Sequence, residues 1–138
     1  MASYLGDATF ASSFKTLAYP QVVTATVTGT GFDVGAFTGT GLNALLSLGA
    51  GTGTGSIDVK LQESDILGSG YTDIPGATFT QLVVANVNTD YKLFTQKSTK
   101  RFVRAVLTVT GTVSFSVACY LFGQLRNSGT SAGFATAN

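Results

Sequence analysis

"RFVRAVLTVTGTVSFSVACYLFG", residues 101–123, holds two runs of alternating side chains joined by Thr-Gly-Thr. Val103, Ala105, Leu107 and Val109 share one face of the first run. Val113, Phe115, Val117, Cys119 and Leu121 share one face of the second. A two-residue period sends successive side chains to opposite sides of an extended chain, so both runs read as half-buried strands. The short link reads as a tight hairpin.

The opposite faces are not uniformly polar. Phe102, Arg104 and Val106 lie there in the first run, and Ala118, Tyr120 and Phe122 follow Ser114 and Ser116 in the second. One end of each strand is therefore apolar on two sides, and something is expected to cover it: an arm of the chain, another subunit or a partner.

Outward from this pair the texture repeats. "GSIDVKLQES" (55–64) sets Ile57, Val59 and Leu61 against Asp58, Lys60 and Gln62. After Pro20, "QVVTATVTGTGFDVGAF" (21–37) sets Val23, Ala25 and Val27 against Thr24, Thr26 and Thr28. "LNALLSLGA" (42–50), "TQLVVANV" (80–87) and "DYKLFTQ" (90–96) read as further strands. "DILGSGYTDIPGATFT" (65–80) reads as turns, punctuated by Gly68, Gly70, Pro75 and Gly76. Short strands with regular turn signals and no helical period predict an all-β fold, a single antiparallel β-sandwich or jelly roll over residues 21–123.

Extended arms are expected on either side, residues 1–20 and 124–138. The first carries Tyr4, Phe10, Phe14 and Tyr19, more rings than a disordered tail usually holds. Twenty extended residues reach roughly 65 Å, enough to cross to a neighbouring subunit.

A chain of 138 residues is one domain's length, and such a domain buries roughly 68% of its unfolded surface without a disulfide or metal. Charged residues are 11% of the chain and the net charge is +1, so the basic excess of a nucleic-acid binder is missing. The first 20 residues lack the basic and apolar segments of a secretory leader, and no apolar run is long enough to cross a membrane as a helix. The chain has no histidine and one cysteine, Cys119, which leaves no ordinary catalytic triad or zinc site. Cys119, among apolar neighbours, is expected as a small buried thiol.

"GTGLNALLSLGAGTGTGS" (39–56) raises the question of a phosphate cradle. No lysine lies between positions 16 and 59, so a phosphate loop is ruled out. "GTGLNA" matches the dinucleotide-binding pattern, but its helix would run only over residues 42–48 and no βαβ alternation follows. The glycines from 49 to 55 are instead expected to form a flexible hairpin tip between two strands. Asp58, Glu63, Asp65 and Asp73 read as solvated carboxylates, and "DILGSGYTD" lacks the ligand spacing of a calcium loop. No catalytic group, metal or cofactor is expected.

Lys92, Lys97, Lys100, Arg101 and Arg104 place five of the eight basic residues within 13 positions. Such a cluster serves either to guard a strand edge or to contact an acidic protein surface.

Residues 42–123 resemble a phage pattern. Its first part is a strand of the type V-x-L-Q-x-S, here Val59, Leu61, Gln62 and Ser64. The second is a turn Y/W-T-D-I/V-P-G-A, here Tyr71 through Ala77. The third is R-F/Y-V/L-R-A-x-L-T-V-T-G-T, here Arg101 through Thr112, with a closing strand. The chain resembles the small jelly-roll cement, or decoration, proteins on the capsids of tailed bacteriophages. The resemblance implies a virion protein on the outer capsid surface, non-enzymatic, whose partner is the major capsid protein. A homo-oligomer, dimer or trimer, is the expected form, with no nucleic-acid or membrane partner. The expected contact residues are Tyr4, Phe10, Phe14, Tyr19, Lys97, Lys100, Arg104, Tyr120 and Phe122, and deletion of residues 2–18 is expected to abolish capsid binding while leaving the domain folded. The alternatives are a tail or head fibre component and a carbohydrate-binding sandwich using Tyr71, Tyr91 and Tyr120, the latter weakened by the absence of tryptophan.

Overall fold

The alternation at 101–123 is the alternation of the core. Val103, Ala105 and Leu107 are fully buried, as are Phe115, Val117, Cys119 and Leu121. They close on Ala44, Leu46, Ile57, Val59, Leu61, Ala77 and Leu82 in one apolar cluster. A computed structural model of the chain describes residues 12–35, 43–86, 91–94 and 100–124.

Among the described residues the strands are β1 (Ser12–Val23), β2 (Val27–Thr28), β3 (Phe32–Asp33), β4 (Asn43–Gly53), β5 (Ser56–Ser64), β6 (Thr72–Thr78), β7 (Tyr91–Phe94), β8 (Phe102–Thr110) and β9 (Val113–Gln124). One sheet runs β1-β9-β4-β7. The other runs β2-β8-β5-β6, with β3 also paired to β8. All these pairings are antiparallel. With β2 and β3 counted as one interrupted strand, the chain makes two four-stranded sheets in the order of a jelly roll.

The topology corrects two expected hairpins. β8 and β9 lie in opposite sheets, so Gly111-Thr112 is a corner from one sheet to the other. Both strands are central in their sheets, and their apolar stripes face each other across the core. β4 and β5 are likewise in opposite sheets, so the glycines before Ser56 form a second corner and not a flexible hairpin tip. The two corners interlock: the Thr54 and Gly55 N–H groups both donate to the Thr112 carbonyl, at 3.1 and 3.0 Å.

The first sheet begins within the segment expected as an arm. β1 pairs with β9 from Ser12↔Gln124 to Val23↔Phe115, and Leu17 and Ala18 are buried. Register shifts between Thr16 and Ala18 and between Ala18 and Gln21 break the alternation, which hides the strand in the sequence. Pro20 lies in the second shift, on an edge strand where its missing N–H breaks no ladder. Residues 1–11 and 125–138 lie outside the described residues.

Three further expectations change. Thr24–Thr26 is not strand, because here the chain crosses between sheets, and Ala25 is exposed. β6 forms inside the segment read as turns; it is the edge of its sheet, and a register shift between Lys60 and Gln62 accommodates Pro75 and Gly76. Residues 80–87 give no strand among the described residues, only a bridge from Leu82 to Ile57 and a 3-10 turn at Val84–Asn86.

The registers sort the molecule into two ends. The corners 53–56 and 110–113 lie at one. At the other lie Ser12 beside Gln124, Asn43 beside Phe122, Ser64 beside Phe102 and Asp33 beside Phe102. We call these the corner end and the terminal end.

Candidate partner-binding surface

The terminal end gathers the features that sequence reading scattered. β9 brings Tyr120 and Phe122 to it, both half-buried on the outer side of the first sheet. β1 places Phe14 opposite Phe122, and β4 places Leu45 opposite Tyr120. Ala118, one step further along β9, is buried on the same outer side. Leu45 and Tyr120, as cross-strand partners, share that outer face with Ala118 and Phe122, so an apolar area begins here outside the core.

The second sheet contributes a polar outer face. Arg104 donates from Nε and Nη2 to Gln62 Oε1, at 2.9 and 2.8 Å, and its guanidinium lies 4.0 Å from the Tyr71 ring centroid. Gln62 Nε2 donates to Asp73 Oδ1 at 2.7 Å, and Lys60 Nζ reaches Asp73 Oδ2 at 2.8 Å. The Lys60 ammonium first, and then the Gln62 amide, hold the Asp73 carboxyl below its ordinary 3.8. Arg104 is thus held directly by Gln62 and Tyr71, and through Gln62 by Asp73 and then Lys60, as befits a stacked guanidinium.

The basic cluster divides on folding. Lys92 belongs to β7 in the first sheet, Arg104 lies in β8 of the second, and Arg101 directly precedes β8. Arg101 makes a two-pronged contact with Asp33 Oδ2, Nε at 3.0 Å and Nη2 at 2.8 Å. That contact lowers the Asp33 carboxyl, helped by the Gly35 N–H, and raises the Arg101 guanidinium. Lys100 is half-buried beside it. Tyr4, Phe10 and Lys97 lie outside the described residues. Tyr19 stands apart on the edge strand β1, 70% exposed.

Sequence reading missed Ile66 and Leu67, which are 61% and 52% exposed at the terminal end. A turn-rich segment gave no reason to single them out; the available signal was two adjacent large aliphatics where turn residues dominate. It also misplaced Glu63, read as solvated. Glu63 is buried because the inward alternation of β5 runs one step beyond Leu61.

No group of three or more metal-ligating side chains occurs among the described residues. A groove of about 280 Å³ runs between β1 and β2–β3, lined by Leu17, Tyr19, Val27, Gly29 and Phe32 among others; its one titratable side chain is Tyr19. Cys119 is buried, and burial pushes its thiol up to about 12, as expected for a thiol that serves as a core residue.

No known family model matches the chain, and no curated protein matches it. Among solved structures, the SPBc2 prophage-derived protein YomS aligns over 81% of this chain and 95% of its own, at 18% identity and a TM-score of 0.48. A chain in a structure of infectious bursal disease virus, Gx strain, aligns over 84% of this chain at 10% identity and a TM-score of 0.51. This chain spans about a third of that one, 32% of its length. At such identity the likeness is one of fold.

Proposed function

We propose that the chain is a non-enzymatic structural protein of a phage virion that binds the assembled major capsid shell from outside and reinforces it. One observation carries the reading. Ser12 of β1 and Gln124 of β9, the half-buried aromatics Tyr120 and Phe122, and exposed Ile66 and Leu67 meet at one end of a two-sheet brace. A surface of that kind suits holding a neighbour, and its described residues bring no acid, base and nucleophile together. The jelly-roll fold, shared with a chain in a virus structure, and the resemblance of residues 59–77 and 101–112 to decoration proteins support the same reading. Cement action follows from multivalency, since a protein gripping two capsomers gains avidity from modest interfaces.

The carbohydrate alternative loses its platform at Tyr71, whose ring is occupied by Arg104. A tail or head fibre component is the remaining alternative within a virion, and a tail component has no affinity for heads. The test is co-sedimentation of the purified chain with empty heads of the phage that carries the gene. Saturable binding is expected. Deletion of residues 2–11, which spares β1, is expected to weaken it; deletion through residue 18 would remove buried Leu17 and Ala18 and so tests folding instead.

A further inference from the structure

The β5–β6 loop, residues 65–71, is short, exposed and held from several directions. The Ser64 hydroxyl donates to the Ser69 carbonyl and accepts from the Ile66 N–H at 3.0 Å. Ile66 and Ser69 form an isolated antiparallel bridge. The Tyr71 hydroxyl donates to the Leu67 carbonyl at 2.7 Å. Tyr71 is itself fixed, since its ring lies under Arg104, which is held by Gln62, which is held by Asp73. Gly31 makes room for it: a Cβ there would stand 1.8 Å from the Tyr71 hydroxyl oxygen. A series of contacts running across the outer face of the second sheet therefore ends on the backbone of this loop.

What the loop presents is apolar. Ile66 and Leu67 are adjacent in the loop and both more than half exposed. Exposed aliphatics on a loop that is already ordered lose little conformational entropy on docking, which favours affinity. Asp65 beside them is exposed and makes no ion pair among the described residues.

We propose that Ile66 and Leu67 form a preformed knob that inserts into an apolar pocket on a protein partner, with a basic residue at the pocket rim facing Asp65. The partner is the shell of the preceding subsection, so the inference rests on that reading and adds the anchor. A lipid surface fits less well, because a carboxylate at the tip is repelled by anionic headgroups.

The experiment measures binding isotherms of the full chain on empty heads, with thermal melts alongside. Ile66→Ser/Leu67→Ser is expected to melt like wild type and to bind roughly tenfold or more weakly, the loss typical of truncated anchors. Tyr71→Phe keeps both aliphatics but frees the Leu67 carbonyl, and is expected to weaken binding roughly threefold by loosening the loop. Asp65→Lys is expected to weaken binding most at low salt. Wild-type affinity in the double serine variant overturns the knob and leaves the shell reading standing. Absence of head binding by wild type overturns the shell reading and this docking with it. Binding to phosphatidylglycerol vesicles that the double variant loses, without head binding, assigns the loop to a membrane and overturns a protein pocket.

Discussion

A Cβ on Gly55 would stand 2.1 Å from the Thr110 carbonyl oxygen, and one on Gly53, at φ +113°, would stand 2.2 Å from that of Thr112. These two positions let the β4–β5 and β8–β9 corners touch backbone to backbone. Gly53→Ala is expected to destabilise the fold by about 2 kcal/mol or more, through strained φ and the clash together. Chemical denaturation checks this, and an unchanged midpoint would mean the corners do not interlock. Cys119 reports on the other interior feature. With its thiol pushed up to about 12 by burial, it is expected to resist iodoacetamide at pH near 8 until the protein unfolds, so that labelling follows the denaturation curve. Rapid labelling of the native protein would contradict the packing of β9. The burial of Cys119 was legible from its apolar neighbours. The purpose of the glycines was not, because a clash between segments nearly 60 residues apart leaves no local mark.

Elements with one clean apolar face were legible, and those shaped by tertiary exceptions were not. β5, β8 and β9, and β4 as far as Leu48, turn every second side chain to the core and were read near their observed bounds, although β4 runs on to Gly53. β1 was lost to two register shifts and Pro20, and β6 to Pro75 and Gly76; all of these features are tolerated because these strands lie at sheet edges. Pairing was less legible than extension, since alternation fixes which side chains are buried but not which sheet a strand joins. β6 also carries an acid-sensitive contact to β5. Asp73 is held below its ordinary 3.8 by Lys60 and Gln62, so the contact stabilises above that value and is lost as pH falls through the lower, folded value. Both partners are well exposed, so the effect is small. Asp73→Asn is expected to lower the melting temperature slightly at neutral pH and to flatten its decline below about pH 4. A decline as steep as that of wild type would contradict the ion pair. Phe115, wholly buried in β9, sets the contrasting scale: Phe115→Ala is expected to cost about 3–5 kcal/mol by calorimetry or denaturant, at any pH where the protein folds.

The described residues have two unlike ends: a sealed corner end, and a terminal end that carries Ser12, Gln124, Tyr120, Phe122 and the 65–71 loop. The sequence showed a second apolar area on 101–123 but placed Arg104 and Tyr120 in one patch. Folding sets them on the outer faces of opposite sheets, which share only this end. The direct measurement is a cryo-electron microscopy difference map of heads with and without the bound chain. Ordered added density is expected outside the shell, with the terminal end against the capsomers and the 53–56 and 110–113 corners pointing to solvent. Heads that gain no density, or a jelly roll seated by its glycine corners, would contradict the proposed mode of attachment.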